Sequence, residues 1–203
     1  FDGSSWTNKN ASSTGKESGA GAGVPTAAFA TSGNQPHGAN NPGTATEEWD
    51  GTNWTSGGAL NSPGQTGAGA AGTLTAGLIC GGQYGYPDTK VAVTQEYNGT
   101  AWTTVTAMPA TRTRHGQTAT PQTAAIFFGG SEGGYSPLLQ NLNYDGTNWT
   151  TGPSMGRPAP NASVMGGTGT SAGLLASGGS PYVATTEQFL PAGTAETRTV
   201  TAS

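Results

Sequence analysis

Four tryptophans, Trp6, Trp54, Trp102 and Trp149, recur every 47 or 48 residues, and each closes a phrase of one pattern: FDGSSW, WDGTNW, YNGTAW and YDGTNW. A period of this length marks a repeat architecture, in which each repeat is one structural unit that stacks on its neighbours to bury a shared core. Whatever else the chain does, it folds as a succession of similar units.

Helix is the first structure this sequence excludes. The 203 residues include 35 glycines and 13 prolines, with only 9% charged, and no long segment carries the apolar stripe at i, i+3, i+4, i+7 that a surface helix requires. Gly, Ser and Pro enrichment is also the signature of disorder, but disorder does not place tryptophans in register with a period. A net charge of -4 with seven Lys plus Arg provides no basic stripe for nucleic acid and no polybasic membrane anchor. The longest apolar run, Ala124 to Phe128, is far too short to span a bilayer, and no charged-then-apolar leader opens the chain. The expectation is a soluble protein with no nucleic-acid partner and no membrane insertion. Because Phe1 stands inside the repeated phrase, further residues are expected before it. The single cysteine, Cys80, lies in the apolar run GLICGG and reads as a buried structural thiol, so stability must come from packing.

Within each repeat the residues spell four short strands. A Gly/Ala-rich segment comes first, as in GAGAG from Gly19 and GAGAAG from Gly67, suited to strands that converge near an axis. An apolar run ending at a glycine pair or its remnant follows: AAFATSG, GLICGG, AIFFGG and GLLASGG. Such a run, bounded by turn residues, fits a strand buried on both faces. After a loop of variable length comes a strand ending in an aromatic, at Trp49, Tyr97, Tyr144 and Phe189. Asp50-Gly51, Asn98-Gly99 and Asp145-Gly146 then suit a tight hairpin, with positive φ free at Gly and tolerated at Asx.

Apolar run, glycine pair, aromatic and tryptophan at fixed offsets resemble the kelch repeat, and the resemblance implies an all-β propeller of four-stranded antiparallel blades over nearly all 203 residues. The aromatic-to-tryptophan spacing, five positions from Tyr97 to Trp102, is shorter than in most kelch repeats. The expected organisation is blade 1 at 9–57, blade 2 at 58–106, blade 3 at 107–152, and blade 4 with a C-terminal tail at 153–203. The last unit reads FLPAG where the phrase is due, so residues 1–8, with Trp6, are expected to complete that blade and close a four-bladed ring. A fragment of a larger ring is the alternative. The Thr/Gly/Ala-rich wording TATEEWDGTNWT also resembles repeat proteins of marine tailed-phage virions.

Chemistry is sparse. A kelch-type copper-radical oxidase would need several Tyr and His ligands, but His37 and His115 lie a whole repeat apart and Cys80 lies in a buried-strand pattern. The DGTNW turn resembles the sialidase Asp-box, which places Asp two before Gly, whereas Asp50 and Asp145 directly precede theirs; Arg112, Arg114 and Arg157 form no evident carboxylate clamp. No catalytic residue, metal or cofactor is assigned. Sequons at Asn53, Asn98 and Asn148 are already explained by the turn.

A binding surface is better supported. In a four-strand meander the second-to-third loops and the blade-to-blade links emerge on one face, opposite the Asx-Gly turns. The loops bring His37, Tyr84, Tyr86, Asp88, Tyr135 and Tyr182, and the links bring Arg112 and Arg114. Tyrosines among small polar residues make adaptable contacts and stack on sugars. The expected function is a non-enzymatic adhesive module of a tailed-phage virion, within a homo-oligomeric assembly, contacting other virion proteins or cell-surface glycan. A secreted bacterial kelch-like glycan-binding or glycan-processing protein, with a sialidase- or galactose-oxidase-like fold, is the alternative.

Overall fold

The computed structural model describes all residues except 1–3, 35–42, 63–64, 85–88, 119–120, 133–135, 160–163, 169–171, 177–184, 190–195 and 200–203. The described chain is built from β-strands, with one 3-10 turn at Gln122–Ala124.

Four antiparallel four-stranded meanders follow one another. The first holds β1 (Ala20–Val24), β2 (Ala27–Thr31), β3 (Thr46–Trp49) and β4 (Trp54–Ser56). The second holds β5 (Gly69–Thr73), β6 (Ala76–Cys80), β9 (Thr94–Tyr97) and β10 (Trp102–Val105), with a two-stranded ribbon of β7 (Gln83–Tyr84) and β8 (Thr89–Lys90) between β6 and β9. The third repeats this plan with β11 (Gly116–Gln117), β12 (Ala125–Phe128), β15 (Asn141–Tyr144) and β16 (Trp149–Thr151), and with a ribbon of β13 (Ser131–Glu132) and β14 (Ser136–Pro137). The fourth holds β17 (Val164–Thr168), β18 (Ala172–Ala176), β19 (Thr185–Phe189) and β20 (Glu196–Thr199).

The register shows how the periodic phrase works. Each aromatic faces the tryptophan five residues later: Trp49 opposite Trp54, Tyr97 opposite Trp102, Tyr144 opposite Trp149. Between them the Asx residue does not adopt the positive φ allowed for it. Only Gly51, Gly99 and Gly146 do, at 96°, 89° and 94°. The Asx side chain instead accepts two backbone amides, Asp50 from Thr52 and Asn53, Asn98 from Thr100 and Ala101, Asp145 from Thr147 and Asn148. A carboxylate and an amide oxygen serve alike, so Asp and Asn interchange at this position.

The apolar core lies between consecutive sheets. Phe29 of the first sheet packs with Ile79, Tyr97 and Trp102 of the second, its ring edge-on to Trp102 at 5.5 Å. Leu78 of the second packs with Phe127, Leu142 and Tyr144 of the third. Ile126 and Phe128 pack with Ala159 and Met155 in the link beyond. The first strands of the sheets run side by side, β1 against β5 and β5 against β11. The link between the first two sheets is a wedge: the amide of Leu60 donates to the Thr44 carbonyl just before β3, and that of Asn61 to the Gln95 side chain of the second sheet.

One expectation is corrected here. The outer place of the fourth sheet belongs to β20, whose Glu196–Thr199 pairs with β19, so the N-terminal segment does not complete that sheet; Trp6 is 86% exposed. The C-terminal ETRT is closer in sequence to β19 and needs no loop across the molecule to reach it. The repeat tryptophans also differ in burial: Trp102 is buried, while Trp54 and Trp149 are half-buried. Of Trp54, Trp102 and Trp149, Trp102 is the one with an aromatic ring of the preceding sheet, Phe29, against it.

Candidate functional site

The end of each sheet where the glycine pair lies is organised by backbone chemistry. Gly81 and Gly82 both have positive φ, as do Gly129 and Gly130, and in the first sheet Ser32 takes the place of the first glycine at 63°. The amide of Gly82 donates to the Arg112 carbonyl at 2.7 Å and that of Gly130 to the Ala159 carbonyl at 2.8 Å, tying each sheet to the next link. A Cβ on Gly81 or Gly129 would collide with those carbonyls, so close approach as well as φ requires glycine.

Isolated bridges then join each link to the base of its own sheet's loop: Glu17 with Asn34, Thr66 with Gln83, Thr113 with Ser131. Links and second-to-third loops therefore do share one end. Along that end runs a chain of backbone bonds from sheet to sheet, with the Gly67 amide on the Ser18 carbonyl and the Arg114 amide on the Gly67 carbonyl. All three residues are left-handed, Ser18 at 56°, Gly67 at 64° and Arg114 at 56°. Arg114 thus reaches the rim with its side chain exposed.

Of the residues expected to form the binding surface, Tyr84 lies half-buried in the β7–β8 ribbon and Arg114 is exposed on the rim. His37, Tyr86, Asp88, Tyr135 and Tyr182 lie outside the described residues. Arg112 is a correction. It is 1% exposed, with its guanidinium donating to the Gln140 carbonyl at 2.9 Å and to Gln140 Oε1 at 3.2 Å. Its carbonyl holds the glycine pair, which places the side chain under the rim. Burial lowers its pKa, opposed by Cys80 and Glu132.

Beside Arg112 the structure assembles a group that residue spacing did not reveal: Cys80 Sγ is 3.7 Å from His115 Nε2, both buried. His115 also meets Phe127 edge-on at 5.4 Å. Burial raises the thiol pKa well above its usual range, against a lesser pull from Arg112. Burial, with the nearby Arg112 charge, pushes the imidazole down to about 3. Both groups are neutral at pH 7, the reverse of the thiolate–imidazolium pair a cysteine nucleophile uses. Read from sequence, His115 followed an unremarkable link; only the apposition of the second and third sheets brings it to Cys80.

Together these features describe a β-propeller-like, all-β protein of stacked four-stranded sheets with one loop-bearing end. The similar solved structure titled "Structure of YjhT", a kelch-like β-propeller type, superposes with a TM-score of 0.71 at 15% identity, over 90% of this chain. This chain spans 64% of that structure's length, and the likeness shows the fold. No family model and no curated protein matches the sequence.

Proposed function

We propose that this protein is a non-enzymatic recognition module, displayed on a tailed-phage virion, that contacts host-surface glycan or a neighbouring virion protein through its loop-bearing end. One observation carries the reading: the two ends of the sheets are built differently. At one end the same Asx-Gly turn is repeated with the same side-chain bonds; at the other, loops of different length and composition rise from a shared backbone frame. A scaffold that holds its strands constant while varying one set of loops places recognition on those loops. Tyr84 and Arg114 are the described residues positioned to take part, an aromatic face for stacking and a cation for an acidic sugar or carboxylate. The virion context rests on the resemblance of the repeat wording to phage virion proteins.

The test is binding of the purified protein to a glycan array and to candidate host cells. Tyr84→Ala and Arg114→Ala should weaken binding with thermal stability unchanged, while Asn98→Asp at the opposite end should have no effect. Binding that survives the double loss of Tyr84 and Arg114, or that responds to the Asx-Gly end, would refute the reading.

A further inference from the structure

We infer that Asn98 is a site of spontaneous deamidation, at which the turn of the second sheet converts from an amide to the carboxylate that the turns of the first and third sheets already carry. The site lies at the end opposite the loops, and the inference is independent of the recognition function proposed above.

An asparagine loses its side-chain amide when the backbone nitrogen of the next residue attacks Cγ, and a side chain on that next residue obstructs the attack. Asn98-Gly99 is the one Asn-Gly pair in the sequence, and the turn itself imposes the glycine: Gly99 has a φ of 89°, and a Cβ there would be crowded at 3.1 Å from Thr75 Cγ2. The conformation that demands glycine after the Asx residue therefore leaves an asparagine at that place unprotected. Asp50 and Asp145 meet the same demand with an ionised carboxylate, which is a poor electrophile.

The structure adds access, a free nucleophile and an activated carbon. Asn98 is exposed to water. Among the described residues no backbone carbonyl accepts the Gly99 amide. The amides of Thr100 and Ala101 both donate to Asn98 Oδ1 at 2.9 Å, so they polarise the Cγ carbonyl and stand where negative charge gathers on Oδ1 as the nitrogen adds.

The Gly99 nitrogen gives its proton to a base in solvent and bonds to Cγ; the Cγ–Nδ2 bond breaks, and Nδ2 leaves as ammonia with a proton from solvent. The cyclic imide then takes up one water. Opening at Cγ yields aspartate in the normal chain, and opening at the Asn98 carbonyl carbon yields an isoaspartyl link with one more backbone carbon. An amide and water become a carboxylate and ammonium, with no change of oxidation state. The aspartate fits the turn: the Asp50 carboxylate accepts the amides of Asn53 and Thr52, and that of Asp145 the amides of Asn148 and Thr147. Those bonds hold both carboxyls below their ordinary range.

Peptide mapping by mass spectrometry, after incubation of the folded 203-residue chain at neutral pH, tests this. The peptide holding Asn98 should gain the mass difference between NH2 and OH. Asn53 and Asn148, equally exposed but followed by Trp54 and Trp149, should convert at least about tenfold more slowly, because the indole side chain keeps the nitrogen from its attacking position. Asn98→Asp should show no gain in this peptide and should melt with the parent. An Asn98 that stays intact in the folded chain, through an incubation that converts it in urea, would mean that the turn shields the amide. Equal conversion at Asn53 and Asn148 would mean that there is no distinct site, and a lower melting temperature for Asn98→Asp would mean that the turn rejects the product. Each of these results overturns the inference.

Discussion

The hydroxyl of Tyr144 donates to Glu96 across the boundary between the third and second sheets at 3.0 Å, and one repeat earlier Tyr97 makes the same bond to Glu48. Burial raises the pKa of both phenols, helped by the adjacent carboxylates, so each remains a donor at any ordinary pH. Tyr144→Phe leaves a partly buried carboxylate oxygen without its donor and should cost about 1–3 kcal/mol. Adding Glu96→Gln should recover part of that loss. Urea melts of the two single variants and the double give the coupling energy; a value near zero would show that the junction does not depend on the bond.

The repeat tryptophans should not be equivalent in energy. Trp102 is buried between Phe29 and Tyr97, with ring centroids at 5.5 and 4.8 Å, and its indole donates to Thr46 Oγ1 at 2.8 Å. Trp102→Ala should cost about 3–5 kcal/mol. Trp54, half-buried against Trp49, should cost less than half as much. Equal losses in denaturant melts would contradict the burial difference.

A third prediction concerns residues two before each aromatic. Glu47 accepts the amide of Ser13 at 2.7 Å, Gln95 that of Asn61 at 2.8 Å, and Glu187 that of Gly156 at 2.9 Å. Each donor lies seven residues after a repeat tryptophan. In the third sheet that donor position is Pro109, which has no N–H, and the acceptor position is Leu142, fully buried. Leu142→Gln should therefore cost about 2 kcal/mol or more, by burying an amide with no donor waiting. Pro109→Ala in the same chain should return part of the loss. Failure of the second change to help would show that the pairing in the other sheets is incidental.

Acid should weaken the fold before the carboxylates titrate. An unfolded imidazole titrates near 6.5, and buried His115 remains neutral down to about 3. Between these values the unfolded state binds a proton the folded state does not. Stability is full above about 6.5 and falls as the pH drops toward 3, with a slope approaching about 1.4 kcal/mol per pH unit. Glu47 acts lower: burial pushes its carboxyl up, but Lys16 and Ser13 together outweigh this and hold it below its ordinary value, so its contribution is lost only as pH falls past that range. Melts of the parent and of His115→Leu between pH 7 and 5 separate the two. A parent as stable at pH 5 as at pH 7 would refute the buried neutral histidine.

Local residue chemistry was enough to make the periodic architecture legible. Strand, turn and glycine-pair signals each depend on a few adjacent residues, and they place β2, β6, β12 and the Asx-Gly turns where the structure has them. The loop-bearing end followed from meander topology alone, which the Thr66–Gln83 and Thr113–Ser131 bridges match. Relations between repeats depended on tertiary structure. Arg112, read as a surface contact, is drawn under the rim because its carbonyl must bind the Gly82 amide; Cys80 and His115, 35 residues apart, meet because two sheets are apposed. The outer strand of the fourth sheet was the hardest to read, since ETRT carries no trace of the repeated phrase while FDGSSW carries all of it. A sequence pattern specifies which strand types a unit needs. Which segment fills the last position is decided by backbone hydrogen bonding and chain reach, and these are indifferent to the pattern.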